Sequence, residues 1–201
     1  MQLHVITDGK RTIEELTEKL FLIHEQVNFI HIREKHRPAR ELIQLVSNLI
    51  DAGVPPKKIL LNDRVDVAVV MELGGVQLAY HSLPVSEVRR CFPQLKVGSS
   101  VHSLEEAVRA ERDGADFVVY GHVYETASKL GKKPKALHEL REISKLLHIP
   151  VIAIGGITPK RTPEVLLAGA EGIAVMSGIW DEADCVRAVQ DYHLNGKEEM
   201  A

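Results

Sequence analysis

Cysteine is scarce: Cys91 and Cys185 are the only two in 201 residues. Their separation matches neither a CxxC pair nor a zinc-ligand spacing, so a disulfide framework does not organise this chain. Two buried, inert thiols in a reducing compartment are expected instead. Long apolar runs are missing as well, since no uncharged stretch approaches the roughly 18 residues of a membrane span. The start, Met1-Gln2-Leu3-His4-Val5-Ile6-Thr7-Asp8-Gly9, has neither the basic residues nor the apolar core of a signal peptide. Cationic excess is absent too. Lys plus Arg total 25 against 28 Asp plus Glu, a net charge of −3 at pH 7, which disfavours nucleic acid or an anionic membrane as partner. No P-loop, Gly-x-Ser-x-Gly elbow or His-Glu-x-x-His helix occurs. A soluble, cytoplasmic protein is expected.

What the chain does have is 45% hydrophobic and 26% charged residues, the balance of a folded globule. Its length suits one domain that buries roughly 70% of its unfolded surface. Eight short β-like runs alternate with helical patterns: Leu3–Ile6, Phe29–Ile32, Ile59–Leu61, Val76–Ala79, Val97–Ser99, Phe117–Tyr120, Val151–Ile154 and Ile173–Met176. Between them apolar residues recur at helical spacing, as in Ile13, Leu16 and Leu20, then Leu42, Leu45, Val46 and Leu49. Later stripes are Leu104, Ala107 and Val108, and Leu137, Leu140 and Leu147. Gly74, Gly114 and Gly169 each precede a run, where a helix must end and the chain turn into a strand. Eight strands that each need a covering helix leave a doubly wound sheet or a closed barrel. The count, the even rhythm and the lack of Gly-x-Gly-x-x-Gly after the first run favour a single small (β/α)8 TIM barrel of the α/β class, residues 1–194, with a frayed tail at 195–201.

In such a barrel function collects where strands end. Alternation after the second run places His31, Arg33 and Lys35 on one strand face, suited to a mouth that receives an anion or to a merely solvated strand end. After the third run, Asn62 or Asp63 either caps the helix expected over Val65–Leu73 or binds a metal, although one Asp does not make a dedicated metal site. After the seventh and eighth runs come Gly155-Gly156 and Met176-Ser177, at the loops where barrels hold phosphate. The long loop after the sixth run, residues 121–134, reads as a mobile flap and offers His122, Thr126, Ser128 and Lys129. His122 carries an imidazole, the side chain most often used to move a proton. His81 is the only other histidine expected at the mouth. His24, His36, His102, His138, His148 and His193 read as surface residues. Zinc on His31, His81 and His122 has no diagnostic spacing behind it.

Taken in order across nearly the whole chain, Ile30-His31-Ile32-Arg33-Glu34-Lys35, Asn62-Asp63-Arg64, Gly98-Ser99-Ser100-Val101-His102-Ser103, Ala153-Ile154-Gly155-Gly156-Ile157 and Val175-Met176-Ser177 resemble the thiamin phosphate synthase superfamily of small (β/α)8 barrels. Three positions differ from the synthase pattern. His31 stands where the synthase has the Gln of Gln-x-Arg-x-Lys; Asp63 matches one magnesium aspartate, but Ser82 falls near the second; and Gly121-His122 replaces Gly-Pro. These departures resemble the thiazole tautomerase (TenI-type) branch. That likeness implies an isomerase of thiamin biosynthesis that aromatises a carboxylated thiazole phosphate, with His122 as acid/base. It also implies substrate binding by Arg33, Lys35, Asn62, Ser100, Thr126, Ser128, Lys129, Gly156, Met176 and Ser177. No metal and no cofactor are expected, the partner is the small-molecule thiazole phosphate, and there is room for a homo-oligomer such as a dimer. In this scheme the phosphate docks on Gly156 and Ser177, and one of Arg33, Lys35 and Lys129 holds the carboxylate. His122 takes the ring proton and returns it to the exocyclic carbon. The alternatives are a thiamin phosphate synthase with a weakened metal site, a non-catalytic regulator that binds thiazole phosphate, and a generic phosphate-binding barrel acting on an unrelated metabolite.

Overall fold

Eight parallel strands close on themselves in chain order: β1 (Gln2–Ile6), β2 (Phe29–Ile32), β3 (Ile59–Asn62), β4 (Gly75–Leu78), β5 (Lys96–Val101), β6 (Phe117–Gly121), β7 (Val151–Ile154) and β8 (Gly172–Val175). The ring is sealed by β1 on β8, with Gln2 opposite Gly172 and Val5 opposite Val175. This computed structural model describes residues 1–126, 131, 134, 135 and 137–196. Among them the covering helices are α1 (Ile13–Ile23), α2 (Ala39–Asp51), α3 (Val65–Val70), α4 (Val85–Cys91), α5 (Leu104–Arg112), α6 (Leu137–Leu146), α7 (Thr162–Leu167), α8 (Ser177–Trp180) and α9 (Cys185–Asn195). The expected (β/α)8 barrel is the observed fold. No helix of the described residues is long and apolar enough to cross a membrane.

The two-residue period of each strand divides its side chains between two cores. Leu3 and Val5, Ile30 and Ile32, Ile59 and Leu61, and Val118 and Tyr120 pack outward into a layer shared with Leu16, Leu20, Leu45 and Leu49 of the helices. A separate, smaller cluster fills the barrel: Ile6, Leu60, Phe117, Val119, Ile152 and Ala174. Local signals start the helices where the stripes begin. Thr12 caps α1 by accepting from the Glu15 N–H, and Glu15 accepts in turn from the Thr12 N–H. Ser103 and Asp184 cap α5 and α9.

Two expectations fail at this level. Cys91 is exposed at the end of α4, so only Cys185 is a buried thiol. β2 ends at Ile32, and the alternation does not extend to Lys35. His31 therefore lies fully buried inside the barrel, not at its mouth with Arg33 and Lys35. There it meets His4 of β1. His4 Nε2–H faces Gln2 Oε1 at 3.3 Å, an acceptor, so the neutral His4 ring uses Nδ1 to accept from His31 Nε2–H at 3.0 Å. That leaves His31 Nδ1 as a bare lone pair, in agreement with its lack of a partner among the described residues. Phe29 and Phe117 box the pair edge-on, which keeps both rings in a neutral, apolar setting.

Candidate functional site at the barrel mouth

Parallel closure brings the residues after every strand to one end, although they are far apart in the chain. On the β1, β2 and β8 side, the Thr7 N–H donates to the His31 carbonyl and Thr7 Oγ1 accepts from the Arg33 N–H at 2.8 Å. This pins the backbone of Arg33 while its guanidinium stays unpaired among the described residues. Lys35 is exposed two residues on. Arg37 is the opposite case: it contacts the buried Glu34 at 3.1 Å and Glu41 at 2.9 Å, and donates to the Arg11 carbonyl at 2.7 Å. Trp180 closes this side, its Nε1–H donating to the Ile6 carbonyl at 2.6 Å.

On the β3 to β5 side the inward positions are polar. Asn62 Oδ1 and Gln77 Oε1 are buried acceptors with no partner among the described residues, and Gln77 Nε2–H donates to Ser100 Oγ at 2.9 Å. Buried amide oxygens left open are costly, which makes this floor a place for a ligand donor or an ordered water. Gln77 was not foreseen, yet its signal is visible as an amide between Val76 and Leu78 in an otherwise apolar strand. Asp63 does not cap α3: Arg64 holds the cap position, with no side-chain bond there. Asp63 sits in the left-handed region (φ 64°), and its carboxylate accepts from Ser82 Oγ and meets His81 Nε2 at 2.9 Å.

On the β6 to β8 side, the loop after β6 is laced onto the loop after β7. The Val123 N–H donates to the Ile154 carbonyl and the Tyr124 N–H to the Gly155 carbonyl, both at 2.9 Å. His122 is thereby buried at the end of β6. Gly155 (φ 102°) and Gly156 (φ 64°) allow this approach; a methyl on Gly156 would lie 2.4 Å from the Glu125 carbonyl oxygen. Arg161 braces the turn by donating to the Gly156 carbonyl and lying over the Tyr124 ring. The Tyr124 hydroxyl donates to Glu164, and burial followed by that carboxylate pushes it up to about 12. Met176 packs against the barrel cluster, and Ser177 opens α8. Thr126 lies in the same loop as His122. Ser128 and Lys129, the proposed flap tip, and the tail residues 197–201 lie outside the described residues.

Nine of the expected site residues (Arg33, Lys35, Asn62, Ser100, His122, Thr126, Gly156, Met176 and Ser177) thus follow or end strands at the same barrel end. His102, read as a surface residue, is bonded inward through Nδ1 to the Gly121 carbonyl at 2.6 Å. A magnesium ion, which the family likeness implies, does not fit the donor set: Asp63 is one carboxylate with both oxygens engaged. Among the described residues no group of three or more His, Cys, Asp or Glu is placed to hold a metal ion.

Comparison with known proteins follows this geometry. Residues 3–179 match the family described as thiamine monophosphate synthase. A thiamine-phosphate synthase of Pyrococcus horikoshii is 36% identical over 191 residues, covering 94% of this chain and 92% of that protein. A putative thiamine-phosphate synthase 2 of Aquifex aeolicus is 38% identical over 178 residues, 88% of this chain and 96% of that one. The structure of a thiamine phosphate pyrophosphorylase from Pyrococcus furiosus superposes with a TM-score of 0.84 at 33% identity, covering 100% of this chain and 97% of the other. These findings overturn the expected isomerase. Relatives this similar over most of the chain bear the name of a synthase, a transferase, and the thiazole tautomerase assignment is withdrawn.

Proposed function

The chain belongs to the thiamine monophosphate synthase family, and from that membership we propose that it joins a pyrimidine-methyl diphosphate to a thiazole phosphate, forming thiamine phosphate and releasing pyrophosphate. The reaction is a displacement. The C–O bond between the methylene carbon and the diphosphate breaks, the bonding pair leaving with the diphosphate. The lone pair of the thiazole nitrogen forms the new C–N bond, and no oxidant or net proton transfer is required. The observation that carries this reading is the 36% identity to a named synthase across 94% of the chain.

The mouth supplies suitable parts. Arg33 and Lys35 are cations that follow β2 and suit the departing diphosphate, the former with a guanidinium unpaired among the described residues on a pinned backbone. Gly156 and Ser177 offer close backbone approach for the thiazole phosphate in the loops after β7 and β8. His122 and Thr126 lie in the loop after β6, between these two ends in strand order. Asn62, Ser100 and Met176 form the floor and side against the rings. Holding the two reactants together is itself worth several kcal/mol of barrier, about 7–11 in well-oriented cases. Incubation with both substrates, followed by chromatography for thiamine phosphate and a coupled assay for pyrophosphate, tests the proposal. The two products should appear in equal amounts. Failure to form either one, with folded protein and either substrate order, would reject it.

A further inference from the structure

Asp63 occupies the place where the family likeness puts a cation-binding carboxylate, but its bonds describe a different object. Its N–H donates to the Gln77 carbonyl at 3.1 Å, which ties the turn after β3 to β4. Its side chain then reaches across to the loop after β4, accepting from Ser82 Oγ with one oxygen and meeting His81 Nε2 at 2.9 Å with the other. A carboxylate can only accept, so the His81 nitrogen facing it carries hydrogen. Ser82 extends the chain: its Oγ accepts from the Ala79 N–H at 2.6 Å, and its own N–H donates to the Ala79 carbonyl at 3.0 Å. Neighbouring Arg64 does not compete, being held in a fork by Asp66 at 2.9 and 2.6 Å.

We infer that Asp63 is a clamp that fixes the Ala79–Ser82 loop at the mouth, and that this chain holds no divalent cation there before its substrate arrives. Magnesium takes oxygen ligands in a nearly octahedral shell, with one or two carboxylates and usually substrate phosphates among them. Both Asp63 oxygens face hydrogen-bond donors, and the position that would carry a second carboxylate carries the Ser82 hydroxyl. A cation at Asp63 would have to sit beside the hydrogens of His81 and Ser82, with no second carboxylate to share its charge. The inference rests on the synthase reading only for where the diphosphate lies; the diphosphate then meets Arg33 and Lys35 as the standing positive charge.

The test uses Mn²⁺ alone as probe, followed by the loss of its free electron-paramagnetic-resonance signal, on the wild-type chain, Asp63→Asn and Ser82→Asp. Wild type and Asp63→Asn should bind equally little up to about 1 mM, and Ser82→Asp about tenfold more or better. Hydrogen exchange supplies a reading independent of any metal: the Ala79 and Ser82 amides should exchange about tenfold faster or more in Asp63→Asn, with core strands unchanged. Wild-type binding at micromolar Mn²⁺ that Asp63→Asn abolishes would overturn the inference. So would unchanged exchange in the loop, or a folded Ser82→Asp chain that gains no affinity. Turnover is assayed separately. No product with or without Mg²⁺ would reject the synthase reading and leave the clamp standing. Product formation together with tight wild-type Mn²⁺ binding at Asp63 would reject the clamp and leave the synthase.

Discussion

Gly155 faces the Cβ of His122 so closely that a methyl group in place of its α-hydrogen would lie 2.2 Å from that carbon. The site histidine is thus seated by an absence of side chain on the next strand's loop. Gly53 provides a matched control, with φ 105° against 102° for Gly155 but nothing within 4 Å of an added methyl. Gly53→Ala should cost only the left-handed backbone penalty, about 1–2 kcal/mol. Gly155→Ala should cost about 1–3 kcal/mol more, because the overlap forces His122 or its loop to move. Urea unfolding of the two variants checks this. Equal losses would mean that His122 is not seated by Gly155.

The His4–His31 pair makes stability depend on acid. Burial brings His31 down to about 3, and His4 is held well below the usual imidazole range by burial, then by His31 and Lys96. In the unfolded chain both take up a proton near pH 6.5. Between about pH 6.5 and 3 the unfolded state therefore binds more protons than the native one, and stability falls as pH drops. His31 alone should remove about 2 kcal/mol between pH 6 and 4.5. His31→Gln leaves a donor for His4 Nδ1 and no proton to gain, so its unfolding free energy should fall less over that range by a similar amount. An unchanged slope in denaturant titrations at both pH values would show that the pair does not govern the acid response.

What could be read in the chain beforehand follows from the range of the interactions. The strands and most helix stripes are set by periods of two and three to four residues, which a local window contains. Closure into eight strands is long-range, but each strand–helix unit announces itself, so counting units reaches the barrel. Alternation alone does not place His31, because the strand ends at Ile32, before Arg33 and Lys35. Only the register of β1 against β2, which sets Ile6 opposite His31, puts that ring inside. The bonds of Asp63 were equally hidden, since His81 and Ser82 are 18 and 19 residues away across a β3–β4 pairing. The reaction class is hidden for a related reason: departures at His31, Ser82 and His122 say less than likeness over the whole chain, and one of them, His31, is not at the mouth at all.

Trp180 is the only tryptophan and sits one turn beyond Ser177, buried and bonded to the end of β1. Its emission should report on a phosphate placed at Gly156 and Ser177. Thiazole phosphate is expected to change that emission saturably. Ser177→Asp, which puts an anion where the phosphate would lie, should weaken the half-saturation by about tenfold or more. Identical titration curves for the two proteins would move the phosphate elsewhere on the mouth.

Arg33 and Arg37 lie four residues apart and divide the two uses of a guanidinium between them. Arg37 spends its donors within the fold, on Glu34, Glu41 and the Arg11 carbonyl. Glu34 is buried, so removing its cation leaves a carboxylate without compensation. Arg37→Gln should therefore destabilise the chain by about 1–3 kcal/mol while altering substrate affinity little. Arg33, which follows β2, has its backbone fixed by Thr7, and no hydrogen bond or ion pair holds its guanidinium among the described residues. Arg33→Gln should leave stability within about 0.5 kcal/mol of wild type, since no partner among the described residues is lost. Its KM for the pyrimidine diphosphate should rise about tenfold or more, a charge-assisted contact being worth about 1.5–3 kcal/mol. Thermal unfolding and steady-state kinetics on both variants separate the roles. If Arg33→Gln instead unfolds early and keeps its KM, the open guanidinium is a structural residue and the diphosphate is held by other cations.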